Sequence, residues 1–160
     1  ENQLRMEFAI AKTHFQIHGN YALTRSQNFG PPLVKGDVSG RKQLPFIPIH
    51  SGNIFFSFER RGYYLNYQHN SYSRRYVLSS NRIGREDNSA DLGLSADHNP
   101  MLSLYPYHLN HMAAGKEINL KKIDLCIELK INNLFNEEYR SVLQRFMPGR
   151  SYTLLLKLDF

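Results

Sequence analysis

The chain has 160 residues, of which 41% are hydrophobic and 21% charged, and a formal net charge of +6. This length suits one domain, and the lack of any run of about 18 apolar residues excludes a transmembrane helix. The single cysteine, Cys126, excludes an internal disulfide and a cysteine-based zinc cluster. The basic residues are scattered in pairs rather than gathered on a helix, so the charge predicts no nucleic-acid partner.

Alternation of apolar and polar residues dominates the chain and predicts β-strands rather than amphipathic helices. In chain order the predicted strands are Leu4–Ala11, His14–Thr24, Ser51–Glu59, Tyr63–Tyr72, Tyr105–Ala114, Lys122–Asn132 and Arg150–Phe160. Strands in globular proteins usually have about 5–6 residues. These strands are longer and match the length of about 9–11 residues that a tilted membrane strand needs. The 10 Tyr and 10 Phe residues also suit strands, and Tyr suits a membrane–water interface.

The connections between these strands alternate in length. Short turns are predicted near Lys12-Thr13, at Arg60-Arg61-Gly62 and near Gly115–Lys121. Long loops are predicted at Arg25–Leu44, Ser73–Leu104 and Asn133–Pro148. Outer-membrane β-barrels combine short periplasmic turns with long external loops. The pattern therefore predicts that the first, third, fifth and seventh strands run inward and that Phe160 lies at the periplasmic rim.

One face of the predicted strands is apolar, but the alternation does not say whether this face lies inside or outside a barrel. A soluble ligand-binding barrel of the lipocalin type, with an apolar interior, is the alternative interpretation. The polar faces are rich in Asn, Gln, Ser, His and Tyr. A solvated exterior usually carries more Lys and Glu, so this composition favours a wet lumen and an apolar exterior in contact with lipid.

The last 30 residues or so carry a specific pattern. It consists of Ile131-Asn132-Asn133-Leu134-Phe135-Asn136-Glu137-Glu138-Tyr139, then Met147-Pro148-Gly149-Arg150-Ser151-Tyr152, then the alternating strand to Phe160. This pattern closely resembles the C-terminus of TonB-dependent receptors, where N-N-L-F-(N/D)-x-x-Y ends the penultimate strand and P-G-R opens a last strand that finishes on Phe. Leu44-Pro45-Phe46-Ile47-Pro48 and Tyr72-Ser73-Arg74-Arg75-Tyr76 resemble the family's L-P-Y-x-P and Y-x-x-x-R-Y segments.

The resemblance implies an all-β fold in which residues 1–160 form the C-terminal portion of an antiparallel transmembrane β-barrel. The seven strands would be the last third of a barrel of about 22 strands. The family's plug domain and TonB box are not recognised in these residues. Because open sheet edges do not occur in lipid, we expect a fragment, one half of a split receptor or one chain of a nicked protein.

The resemblance also implies a function and a place in the cell. The complete receptor would reside in the bacterial outer membrane and import a scarce, bulky nutrient, such as an iron siderophore, haem, cobalamin or a glycan, with energy from TonB. The implied partners are the remaining strands and plug, outer-membrane lipid and lipopolysaccharide, the assembly machinery, and TonB through the missing part. No enzyme motif is present, no cofactor is predicted, and His14 and His18 are too far apart along a strand to share a metal ion.

The candidate functional residues fall into three groups. Residues predicted to line the transport path are His18, Asn20, Asn66, Gln68, Glu128 and Lys130. In the second long loop, Arg74 and Arg75 are predicted to meet lipopolysaccharide phosphates or an anionic ligand. The residues of the C-terminal pattern predicted to shape the last loop are Asn133, Leu134, Phe135, Asn136, Tyr139, Pro148, Gly149 and Arg150. The face that the assembly machinery would read consists of Tyr152, Leu154, Leu156, Leu158 and Phe160.

Overall fold

The computed structural model describes residues 2–32, 34–81, 103–120, 123–142 and 145–159, and these form antiparallel β-structure. The strands are β1 (Asn2–Ile10), β2 (Thr13–Leu23), β3 (His50–Arg60), β4 (Tyr63–Tyr72), β5 (Arg75–Tyr76), β6 (Ser103–Leu104), β7 (Tyr107–Leu120), β8 (Ile123–Asn132) and β9 (Ser151–Asp159). Seven of them form one sheet in the order β1-β2-β3-β4-β7-β8-β9, and β5 pairs with β6 separately. Within the large sheet, each inner strand is therefore paired with the strand of that sheet that precedes it and the strand that follows it along the chain.

The described hairpin turns are tight because two successive residues adopt left-handed backbone angles. Ala11 and Lys12 have φ values of 49° and 63°, and Arg61 and Gly62 have values of 53° and 77°. Two-residue turns with positive φ match the twist of antiparallel strands. Gly62 is also required by a close approach, since a Cβ there would lie 2.5 Å from the Glu117 carbonyl oxygen. These turns define the short-turn edge of the sheet.

The strand register gathers the apolar residues on one side of the sheet. Successive cross-strand partners in one row are Phe8, Phe15, Phe58, Leu65, Ala114, Leu129 and Leu154. Directly opposed residues share a face, so we call the side that holds this row the apolar face and the other side the polar face. The Phe15 ring lies 5.0 Å from that of Phe8 and 5.4 Å from that of Phe58.

Several large side chains on the apolar face are exposed, unlike the core-facing side chains of a water-soluble domain. On β8, Ile127 and Leu129 of the apolar face are 37% and 46% exposed, whereas Cys126 and Glu128 of the polar face are half-buried. The side chains of β9 on the apolar face are 54% to 66% exposed. No second layer covers the apolar face in the part of the chain that the structure describes.

The structure confirms the all-β, antiparallel fold and corrects two boundaries. The strand predicted at Tyr105–Ala114 is present as β7, but it begins at Tyr107 and continues to Leu120, so the turn predicted at Gly115–Lys121 was placed too early. Ile118 pairs with Leu125 and so extends the apolar face beyond Gly115. The predicted loop Ser73–Leu104 contains the short β5–β6 pair.

The large sheet is open at both sides among the described residues. β1 pairs with β2 alone, and β9 pairs with β8 alone, so a closed barrel and its number of strands remain predictions. Within the same residues, no helix is long and apolar enough to cross a membrane.

Candidate functional site

A shallow depression of about 240 Å³ lies on the polar face across β3, β4, β7 and β8. Of the residues predicted to line a transport path, four border it: Asn66, Gln68, Glu128 and Lys130. Phe55 and His111 complete its wall. The depression combines a carboxylate, an ammonium group, amides and an imidazole, which suits hydrogen bonding to a polar solute or to another polypeptide.

The Tyr64 side chain crosses the polar face beside this depression, from β4 over β7 to β8. Tyr64, Gly115 and Glu128 are successive cross-strand partners on β4, β7 and β8. The Tyr64 hydroxyl donates to Glu128 Oε2 at 2.7 Å, passing over β7. A Cβ at Gly115 would overlap the Tyr64 ring, so the glycine provides the space that the ring occupies. The bond fixes the Glu128 carboxylate beside the depression.

The remaining two predicted path residues lie on the same face but outside the depression. His18 is half-buried, and its ring contacts that of Phe55 edge-on, with centroids 6.1 Å apart. His18 therefore adjoins the depression through the Phe55 wall. Asn20 Oδ1 accepts the Asn53 backbone N–H at 3.1 Å, which ties it to the neighbouring strand.

At the long-loop edge, the three segments that carry the sequence resemblance come together. The Phe46 N–H donates to the Tyr76 carbonyl at 2.8 Å. The Arg75 guanidinium donates to the carbonyl oxygens of Arg140 and Ser141 at 2.8 and 3.2 Å. Segments distant in sequence thus form one connected structure, which we call the outer rim.

A second link in the outer rim uses a side-chain amide in place of a strand partner. The Gln43 N–H donates to Asn81 Oδ1 at 2.7 Å, and Asn81 Nδ2 donates to the Gln43 carbonyl at 2.8 Å. The Asn81 amide therefore satisfies both backbone groups of Gln43, as a neighbouring strand would. The Gln43 side chain is itself buried and donates to the Thr24 carbonyl at 3.2 Å.

Arg74 and Arg75 occupy very different surroundings. Arg75 is 5% exposed, and its guanidinium lies 4.9 Å from the Tyr107 ring centroid. The Tyr107 ring contacts those of Tyr72 and Tyr139 at 5.0 and 4.7 Å. Arg74 is exposed and lies 5.9 Å from the ring of Tyr105. Arg74 is thus open to a ligand, whereas Arg75 is engaged within the chain, and the ligand role of both stays a prediction.

The asparagines of the C-terminal pattern satisfy backbone groups where strand pairing ends. Asn133 is buried, and its side chain bonds the Glu137 carbonyl at 2.9 Å and the Glu137 N–H at 2.8 Å. Asn136 Oδ1 accepts the Arg150 N–H at 2.9 Å. A Cβ on Gly149 would lie 2.8 Å from that oxygen, so a larger residue would displace the Asn136 amide.

Other members of the pattern differ in burial. Leu134 is half-buried, whereas Phe135 is 68% exposed and does not pack under the loop. Pro148 and Arg150 are exposed. On β9, Tyr152, Leu154, Leu156 and Leu158 are exposed on the apolar face. Phe160 lies outside the described residues, and recognition of this strand by an assembly machinery remains a prediction.

Comparison with solved structures finds BauA, the ferric preacinetobactin receptor from Acinetobacter baumannii, with a TM-score of 0.68 and 11% sequence identity. The matched region covers 99% of this chain and 26% of that chain, so the chain spans about a quarter of BauA's length. Neither a protein-family model nor a curated protein matches this chain. At this level of identity the likeness establishes the fold of the segment.

Several residues of the site were not singled out from the sequence. Gly115 was assigned to a turn, because glycine is typical of turns and Lys116 interrupts the alternation. Neither Tyr64 nor Tyr107 was selected, because nothing in a strand pattern reveals contacts between distant strands. Among the described residues, no group of three or more His, Cys, Asp or Glu side chains is placed to hold a metal ion.

Proposed function

We propose that this chain is part of the wall of a bacterial outer-membrane receptor that imports a scarce, bulky nutrient with energy supplied through TonB. The C-terminal pattern, from Ile131 to the last strand, supports the family. The structural likeness to the ferric preacinetobactin receptor supports the same architecture. By this proposal the cargo is an iron siderophore, haem, cobalamin or a glycan.

The observation that carries the proposal is the exposed apolar face. Leu154 and Leu156 on β9 are 66% and 63% exposed, and Ile54 on β3 is 51% exposed. Burial of apolar surface is worth about 25 cal/mol per Å², so a continuous apolar face in water would be strongly unfavourable. Exposed patches of this kind mark contact with a membrane or another protein. Hydrocarbon is the proposed surrounding.

The polar face, by this proposal, lines the lumen. Neighbouring strands lie about 4.8 Å apart. The Tyr64 and Glu128 side chains, which meet in a hydrogen bond, therefore bridge about twice that separation. A bond across an intervening strand is favoured where the sheet curves toward that face. The depression bordered by Asn66, Gln68 and Lys130 would then face the transport path.

The open edges of the sheet imply further strands. β1 and β9 each have one neighbour in the described residues, and unpaired backbone groups are costly in hydrocarbon. We propose that strands outside these 160 residues close the barrel, in the same protein or in a separate chain. A plug domain and the TonB-contacting segment would also lie outside, and lipopolysaccharide would surround the outer loops.

Adjacent residues on opposite faces of β8 provide a sharp test. Cys126, the only cysteine in this chain, lies on the polar face. Ile127→Cys in a Cys126→Ser background moves the thiol to the apolar face without changing its height in the strand appreciably. In the complete receptor, we expect the Ile127→Cys variant to react with a lipid-soluble maleimide and resist a membrane-impermeant one.

Lys130→Cys in the same background is the matched control on the polar face, since Lys130 is exposed and borders the depression. We expect this variant to react with the aqueous reagent. The opposite labelling pattern, aqueous at position 127 and lipid-soluble at 130, would refute the proposed orientation. A soluble lipocalin-like barrel, whose apolar face lies inside, would instead be recovered in solution without detergent.

A further inference from the structure

Near the short-turn edge, one cross-strand row of the apolar face contains three adjacent side chains that are polar or charged. Arg60 on β3, Tyr63 on β4 and Lys116 on β7 are successive cross-strand partners. All three side chains therefore lie on the same face as Phe58 and Leu65. The row places one cation on each side of a phenol. The two cations are two strand spacings apart, or about 10 Å.

The cations of this row have no carboxylate partner among the described residues. Lys116 Nζ donates to the Tyr63 hydroxyl at 2.7 Å and lies 4.2 Å from the Tyr63 ring centroid. The acidic neighbours in the chain, Glu59 and Glu117, project to the polar face because successive residues of a strand alternate. Arg60 and Tyr63 are exposed, and Lys116 is half-buried.

The opposite margin of the apolar face has different chemistry. There the Tyr21 hydroxyl lies 2.7 Å from His50 Nδ1, and His69 Nδ1 lies 2.8 Å from Asn110 Oδ1. These groups bond one another and include no arginine or lysine. The concentration of fixed positive charge at the short-turn margin is thus a specific feature of that edge of the face.

We propose that Arg60, Tyr63 and Lys116 bind the phosphate of an anionic glycerophospholipid in the leaflet next to the short turns. This inference rests on the proposed function, in which the apolar face meets lipid. Tyrosine and snorkelling cations belong to the membrane–water interface. Charge complementarity identifies the occupant, because the row offers two cations without a carboxylate partner at the border of an apolar surface.

The hydrogen-bonding capacity of the row fits a phosphate. Lys116 uses one of its three N–H donors on the Tyr63 oxygen, which leaves two for the ligand. Tyr63 accepts from Lys116 and keeps its own O–H proton to donate to a phosphate oxygen. The Arg60 guanidinium offers paired N–H groups suited to bidentate phosphate binding. The row therefore offers two positive charges and one neutral donor to a bound phosphate.

The test uses the complete receptor, delipidated in a neutral detergent and exposed to mixed micelles of phosphatidylglycerol and phosphatidylcholine. Bound lipid is counted by native mass spectrometry. A cation near an anionic headgroup favours binding by about fivefold, so Arg60→Gln with Lys116→Gln should lower the preference for phosphatidylglycerol by roughly five- to twentyfold. The charge-keeping pair Arg60→Lys with Lys116→Arg should retain most of it.

The matched control is Arg41→Gln with Lys42→Gln, which removes the same charge from a long loop and should leave the preference unchanged. Heat-modifiable migration on gels verifies folding, and Arg60→Gln alone, at an exposed strand end, gives a partial loss if the double variant does not fold. An unchanged preference in the double variant, or an equal loss in the loop control, overturns the proposal.

Two further arms separate this inference from its alternatives. Inorganic phosphate at millimolar concentration should not displace phosphatidylglycerol; displacement would identify a free-anion site and overturn the lipid assignment. If the proposed orientation itself were wrong, neither lipid would bind, and a thiol at position 127 would react with the aqueous maleimide. A failed headgroup site alone would instead leave both lipids bound without a preference that depends on this row.

Discussion

Replacing Arg75 with alanine should destabilise the outer rim, while the same change at Arg74 should have little effect. Arg75 is 5% exposed and donates to two backbone carbonyls. A hydrogen bond from a charged group contributes about 1.5–3 kcal/mol, and truncation removes this donor from both carbonyl acceptors. Contact of the guanidinium with the Tyr107 ring adds about 0.5–2 kcal/mol.

Opposing effects reduce this sum. Truncation also relieves the cost of burying a cation, and the buried Arg75 Nε has no hydrogen-bond partner in the described part of the chain. We therefore expect Arg75→Ala to lower the free energy of unfolding by about 2–4 kcal/mol. Arg74 is exposed, so Arg74→Ala should change it by less than about 1 kcal/mol. Arg75→Lys, which keeps the charge but lacks the planar pair of N–H groups, should fall between them.

The assay combines denaturant unfolding of the proposed receptor, folded in detergent, with limited trypsin digestion. Arg140 lies in the segment that Arg75 holds, and its own guanidinium sits 4.1 Å from the Phe146 ring centroid. Faster cleavage after Arg140 in Arg75→Ala than in Arg74→Ala would locate the loss at the outer rim. Equal stability and equal cleavage of the two variants would refute this account of Arg75.

Two further predictions concern positions where backbone and side chains fit closely. Gly115→Val should destabilise the protein by about 1–3 kcal/mol, because the added atoms overlap the Tyr64 ring. Tyr64→Phe, which removes only the hydroxyl bonded to Glu128, should cost about 1 kcal/mol in the same denaturant assay. Asn133→Ala should cost about 1–3 kcal/mol, since both Glu137 backbone groups lose their partner and φ at Asn133 is 51°. A loss of stability no greater than that of Phe135→Ala, at an exposed site, would contradict this role.

The strands were predictable because their pattern is local. In β4 the predicted bounds, Tyr63–Tyr72, are those observed, and the turn at Arg61-Gly62 is marked by Gly62, which tolerates positive φ. In β7 the prediction ended at Ala114 because Gly115 is typical of turns. The true reason for the glycine is the Tyr64 ring on a neighbouring strand, and sequence periodicity carries no information about such a contact.

The candidate site, like the strands, was predictable only as far as local alternation reaches. Alternation assigned Asn66, Gln68 and Glu128 to one face, and the structure brings them to one depression. Alternation could not separate Arg74 from Arg75, which have the same charge and adjacent positions. Their difference arises from packing against Tyr107 and from carbonyls more than sixty residues away along the chain, so only the tertiary structure reveals it.

The distribution of buried side chains explains why the recognised sequence pattern lies where it does. The buried hydrophobic residues among those described, Leu104 and Tyr107, belong to the outer rim, as do the buried Gln43, Arg75 and Asn133. A soluble sheet protein fixes its strands through a core on the apolar face, but here no second layer among the described residues covers that face. In the proposed setting lipid covers it without specifying register, because hydrocarbon has no shape to match. Fixed packing and side-chain hydrogen bonds at the rim, where the strand ladder ends, must therefore supply the specificity that a core supplies elsewhere.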